Sequence, residues 1–162
     1  MATPKLTPAF KVVAYVPAPL VMTPGNENSS LVAVNGDGGY VETADGSTKL
    51  DITAISDWIS LPAGKTTADI DCRMSAKSTD GIAIDMHYLG KFTGSLNTAS
   101  VFAGKAGSSV DFGDEYLYTT PRVWSRSEKF AWVNNAVFVA VGRASCPDGS
   151  KVQLEYNILK VG

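Results

Sequence analysis

The stretch STDGIAIDMHYLG, residues 78–90, holds the single histidine of the chain, His87, two residues after Asp85. A carboxylate and an imidazole two apart on an extended chain project to the same side. Such a pair is equipped to move protons near neutral pH. Residues 68–90 read as a hairpin with the three-residue loop Thr79-Asp80-Gly81, in which Gly81 takes the left-handed conformation that closes a type I turn with a bulge. Counting outward from that loop pairs Ala76 with Ile84, Met74 with Met86 and Cys72 with Tyr88 on one face. On the other face Ser75 lies opposite Asp85 and Arg73 opposite His87, while Asp71, opposite Leu89, is diagonal to His87. The first face is apolar and the second ionisable. If the ionisable face meets water, its charges form weak surface pairs worth well under ~1 kcal/mol each. If it lines an enclosed lumen, desolvation raises the Asp85 pKa, His87 or Arg73 opposes that shift, and the carboxyl becomes a working acid or base.

Asp57 is the second candidate acid or base. It precedes Trp58 in another strand, so the two point to opposite faces. Arg73 could hold a developing phenolate or enolate oxygen. Trp58, Asp71, Tyr88, Trp132, Asn134 and Phe138 are the candidate substrate contacts, mostly apolar or aromatic, as small-molecule sites are. In KFAWVNNAVFVAVG apolar residues occupy both faces, as in a strand covered on both sides; with no helix evident, a second subunit is the expected cover. Other chemistries lack their motifs. There is no GxSxG elbow, no P-loop and no GxGxxG. Cys72 falls on the apolar face, a poor place for a nucleophile partnering His87. Two cysteines and one histidine give no zinc spacing. His87 with Asp85, Asp71 or Asp57 could hold a harder ion, but the expectation is no metal and no cofactor.

The chain has 162 residues, 44% apolar and 19% charged, with a net charge of −2. That suits one globular domain over residues 1–162 and gives no basic block for nucleic acid or an anionic membrane. The longest apolar runs are too short to span a bilayer. The N-terminal stretch, broken by Pro17 and Pro19, does not read as a secretory leader, so a cytoplasmic location with Cys72 and Cys146 reduced is expected. The sequon at Asn28 is read as chance.

Helical periodicity is nearly absent, and alternation punctuated by Gly, Pro, Asn and Asp recurs instead. About nine strands follow, among them AFKVVAYV, TADIDCRMSAK, YLYTTPRVW, FAWVNNAVFVAVGRAS and KVQLEYNILKV. The fold class is all-β with little or no helix, and closure into a single antiparallel barrel is favoured because an open sheet leaves bare edges. Residues 95–115, small, polar and glycine-rich, read as a long flexible loop and possible lid. Leu20, Val21 and Met22, in a proline-rich segment, could rim a cavity mouth.

Taken in order, SDWI, the DG hairpin ending at Gly90, the threonine–proline stretch YLYTTPRVW, FAWVNN and the closing VQLEYNILKVG resemble the domain of unknown function 3237 family over nearly the whole chain. Asp57-Trp58, Asp80-Gly81, Trp132 and Asn134 match its pattern. Trp124 stands for a more usual phenylalanine, Ser125 for a common acidic residue, and Asp85 and His87 sit where the family varies. The resemblance implies a calycin-like barrel, often oligomeric, with a ligand-sized interior. It also implies kinship with fungal cofactor-free cyclases that close an oxygen ring onto a prenyl alkene.

The resulting expectation is a cofactor-independent cyclase or isomerase for an apolar, polyketide- or terpenoid-derived small molecule, assembled as a homo-oligomer. Two alternatives stand beside it: a non-catalytic carrier of the lipocalin type, and a structural homo-oligomer whose barrel is filled with side chains.

Overall fold

The computed structural model describes residues 3–21, 23–24 and 29–162. The Asn28 sequon and Met22 lie outside them. Eleven strands form one antiparallel sheet: β1 (Leu6–Pro17), β2 (Thr23–Pro24), β3 (Ser29–Asn35), β4 (Gly39–Thr43), β5 (Lys49–Pro62), β6 (Thr67–Lys77), β7 (Ala83–Thr93), β8 (Ser108–Val110), β9 (Tyr116–Trp124), β10 (Val137–Cys146) and β11 (Lys151–Val161). The order β5-β4-β1-β11-β10-β9-β7-β6 closes on itself because β5 also pairs with β6. The all-β barrel read from the sequence is thus the fold, with eight strands in the closed wall. β3 continues the sheet along the second half of β5, β2 edges β3, and β8 pairs with β10.

Alternation decides what fills the barrel. Along β6, Ala68, Ile70, Cys72, Met74 and Ala76 are buried, and along β7 so are Ile84, Met86 and Tyr88. Every pair counted from the hairpin loop is present: Ala76–Ile84, Met74–Met86, Cys72–Tyr88, Ser75–Asp85 and Arg73–His87. Gly81 has φ +87°, the left-handed value that the turn needs.

β5 carries the feature that matters most for function. Its pairing with β6 shifts between Ile52 and Ala54, leaving Thr53 as an extra residue. A bulge of one residue reverses which positions face inward beyond it. Before the bulge Leu50 and Ile52 face the core; after it Asp57 and Ile59 do. In an unbulged ladder of the same length, Trp58 would occupy the interior and Asp57 the exterior.

Two segments depart from the sequence reading. Residues 95–115 are not a featureless loop. They contain the helix α1 (Leu96–Phe102), capped by the Ser95 side chain on the Asn97 N–H, and then β8. The run FAWVNN, read as the start of a strand, lies instead in a 3-10 helix, Glu128–Asn135. Asn134 clips it to the end of β9 by accepting from the Ser125 N–H and donating to the Ser125 carbonyl (3.1 and 2.8 Å). The two helices plug opposite ends of the barrel. At the 3-10 end Phe10, Phe130, Trp132 and Phe138 form an aromatic cluster with ring separations of 5.8–6.4 Å. No helix among the described residues is long and apolar enough to cross a membrane.

Candidate functional site

The structure settles which face of the 68–90 hairpin is inside, and it is the apolar one. Asp85, His87, Arg73 and Asp71 project from the outer wall. Asp85 accepts a hydrogen bond from Ser75 Oγ at 2.6 Å, and His87 Nε2 lies 2.9 Å from Asp71 Oδ1. Arg73 is exposed beside them. The enclosed lumen weighed for these four is therefore not where they lie. Burying four ionisable groups costs far more than burying Ile70, Met74, Ile84 and Met86, so the apolar face wins the core. Trp58 is also outside, 51% exposed and opposite Asp71. Trp132 stacks on Phe10, their planes 4° apart, and Phe138 is core at that same end of the barrel. Trp132, Asn134 and Phe138 thus support the 3-10 plug. Of the ten residues singled out in the sequence, only Asp57 and Tyr88 share one interior neighbourhood.

Asp57 is 4% exposed, and its Oδ1 has no hydrogen-bond partner among the described residues. Its side chain enters the barrel opposite Cys72, which in turn lies opposite Tyr88. The Tyr88 and Tyr156 rings are 5.6 Å apart. Desolvation dominates the electrostatics here. Burial, and then the negative charge of Asp71 across the wall, push the Asp57 pKa from 3.8 up to about 7, against a smaller opposing effect from the Trp58 backbone N–H. Burial likewise pushes the Cys72, Tyr88 and Tyr156 hydrogens far out of the physiological range. Cys72 is an inert thiol at neutral pH, and Asp57 is the group in this cluster poised to exchange a proton there.

The space around Asp57 is small. A cavity of about 20 Å³, lined by Asp57, Tyr156, Leu117 and Leu154 among others, lies beside the carboxyl, enough for about one water molecule. Among the described residues the inner cavity that Asp57 lines is therefore far smaller than the ligand-sized interior the resemblance implies. Ligand-sized room lies instead at the α1 end. There a cavity of about 380 Å³ is bounded by α1, the inner ends of β5–β7, and Val32. Its walls are mostly apolar, with Leu20, Ile59, Phe92 and Phe102 shared between it and the inner cavity. Leu20 rims it as the proline-rich segment led one to expect; its N–H donates to the Phe102 carbonyl at 2.8 Å, tying that segment to α1. Two larger troughs, of about 840 and 670 Å³, run over the outer wall past Trp58 and past Arg73 and His87. Both are more open to solvent than the α1-end cavity, which is itself only partly enclosed.

Sequence reasoning missed Tyr156, Phe92 and Phe102. Tyr156 was legible, since in KVQLEYNILKV it keeps step with Val152, Leu154 and Ile158, all buried. Phe92 extends the inward series of β7, but α1 is under two turns long, too short to show a helical period that would have placed Phe102. Among the described residues no three His, Cys, Asp or Glu side chains gather as metal donors, and Cys72 and Cys146 are separate buried thiols.

The fold recurs in solved structures. A conserved protein of unknown function from Rhodopseudomonas palustris superposes with a TM-score of 0.79 at 13% identity, with both chains covered fully. A β-barrel-like protein from Acinetobacter baumannii gives 0.70 at 22% identity, covering 100% of this chain and 98% of that one. An enzyme from Penicillium herquei gives 0.60 at 15% identity, covering 100% and 97%. At these identities the likeness is one of fold. No curated protein matches the sequence significantly. The sequence profile described as "Protein of unknown function (DUF3237)" matches residues 4–161, essentially the entire chain, and the protein belongs to that family.

Proposed function

We propose that this protein is a cofactor-independent cyclase or isomerase that binds an apolar small molecule at the α1 end of its barrel and uses Asp57 as its proton-transfer group. The observation that carries the reading is the Asp57 carboxyl itself: buried, with one oxygen unpartnered, beneath a cavity of ligand size. A barrel built only to be filled gains nothing from a desolvated, half-satisfied carboxyl, which costs a few kcal/mol. The packed lumen favours the purely structural alternative; Asp57 weighs against it.

The chemistry suits the group. Adding a hydroxyl across an alkene is an isomerisation: a C–O bond forms, the oxygen loses a proton and the neighbouring carbon gains one. A carboxylic acid can give its proton to carbon and take one from oxygen, returning to its starting state after each turnover. With a pKa of about 7, both of its forms are populated at neutral pH, as proton transfer in both directions needs. Apolar walls hold and fold the substrate, and orientation alone can contribute several kcal/mol to ring closure. In this reading Asp85, His87 and Arg73, on the far side of the wall, take no part in the proton transfer. The enzyme from Penicillium herquei that shares the fold is compatible with catalysis on this scaffold.

Incubation with prenylated phenols, read by mass spectrometry and chromatography for isomeric products, tests the proposal. The wild-type protein is expected to convert at least one, and Asp57→Asn to lower turnover by ~10²-fold or more. Equal turnover in the two proteins removes Asp57 from the mechanism. A carrier is the second reading, favoured by the separation of the 380 Å³ cavity from Asp57; tight binding with every ligand recovered unchanged would establish it.

A further inference from the structure

We propose that Phe92 and Phe102 form a gate between an outer binding chamber and the Asp57 chamber, admitting only the slim, uncharged end of a ligand to the carboxyl. This inference rests on the reading of the α1-end cavity as the ligand site. Four side chains line both cavities: Leu20, Ile59, Phe92 and Phe102. They are the partition between them. The two phenylalanine rings pack at 5.7 Å with their planes 47° apart, one carried by β7 and the other by the last residue of α1.

The ring positions are held from behind. A Cβ on Gly94 would meet the Phe92 ring at 2.7 Å, so the absence of a side chain there lets the ring lie across the opening. Phe102 is fixed through its helix. Its carbonyl accepts from the Leu20 N–H, and the Glu115 carboxylate accepts hydrogen bonds from the Ser95 and Thr98 hydroxyls in the first turn of α1. Opening the partition therefore needs a rotation of one ring or a shift of α1, and a linear chain needs less of either than a branched one. Among the described residues no cationic side chain lines either cavity, so an anionic terminus would lose its hydration against apolar walls with nothing to replace it. The inner cavity of about 20 Å³ is too small for a ring, so the geometry selects a neutral, unbranched chain end, with the bulk of the ligand left in the outer chamber.

Two para-substituted phenols of similar size separate the alternatives: 4-pentylphenol, with a linear tail, and 4-tert-butylphenol, with a compact branched one. Binding is followed by carbon NMR of the labelled Asp57 carboxyl and of Leu20. In the wild-type protein both phenols are expected to shift Leu20, and only the linear one Asp57. In Phe102→Ala both are expected to shift Asp57, and its titration midpoint to fall by about one pH unit or more as water reaches it. Phe102→Leu serves if the alanine variant unfolds, with the same changes in smaller measure. The gate is overturned if both phenols shift Asp57 equally in the wild type, or if opening the partition changes neither ligand discrimination nor the Asp57 midpoint. Turnover plays no part in these readouts. Discrimination without catalysis leaves the gate standing and removes the cyclase, and the converse does the reverse.

Discussion

Asp57→Asn should gain stability relative to the wild type as the pH rises from about 4 to about 7. In the folded state the carboxyl ionises at about 7 instead of 3.8, because burial and then Asp71 disfavour the anion. Between those values the folded state holds a proton that the unfolded state has released, so raising the pH favours unfolding. The wild type therefore loses stability from about pH 4 up to about pH 7 and stays level above. At about 1.4 kcal/mol for each tenfold change in proton affinity, the displacement amounts to about 4 kcal/mol, a large share of the 5–15 kcal/mol typical of a domain. Asparagine does not titrate. Whatever fixed cost or gain the amide brings is the same at both pH values and cancels on subtraction. The stability of Asp57→Asn relative to wild type should thus rise by about 4 kcal/mol between pH 4 and pH 8, or roughly 10 °C in melting temperature for a chain of this size. Urea unfolding at a series of pH values, followed by tryptophan fluorescence, measures it. A difference that stays flat across that range would show that Asp57 is solvated, and with it the argument for a poised proton donor would fall.

Other expectations are independent of Asp57. Burial pushes the Glu155 carboxyl up, but the Lys11 ammonium paired with it at 3.1 Å and hydrogen bonds from Gln153 and Arg143 outweigh that and hold it below its usual range. Its contribution is present at neutral pH and lost as the pH falls through its folded-state value, so Glu155→Gln should cost about 1–2 kcal/mol at pH 7 and progressively less in acid; an undiminished cost in acid would refute the assignment. The outer wall exposes Trp58, Leu89, Tyr116, Tyr118 and Val137 on neighbouring strands, an apolar area of the kind that marks an interaction surface. We propose that a second copy of the chain covers it, as the valines of β10 led one to expect. Sedimentation should find an oligomer that Trp58→Glu with Tyr118→Glu converts to monomer, and a wild-type monomer at all concentrations would exclude it.

Where alternation ran long, the sequence was a reliable guide. TADIDCRMSAK, YLYTTPRVW and KVQLEYNILKV are β6, β9 and β11 to the residue, and the β6–β7 register follows from one glycine and the sorting of two faces. The choice of inner face is a property of the closed barrel, since it depends on what the opposite wall presents. The 3-10 helix escaped because Phe130, Trp132, Asn134 and their neighbours satisfy a strand pattern locally, while the Asn134–Ser125 clip that stabilises the helix spans nine residues. The position of Asp57 was half legible. The apolar rhythm Leu50, Ile52, Ile55, Ile59 skips a beat at Thr53-Ala54, the mark of a bulge, and that skip says which of Asp57 and Trp58 turns inward.

That extra residue gives the barrel an unusual evolutionary lever. Closing the bulge with the chain length unchanged would exchange an acid for an indole at the heart of the molecule while leaving the strand order intact. Relatives of equal length that pair this strand without the bulge would share an architecture yet carry unrelated chemistry, and a gapless alignment would hide the difference.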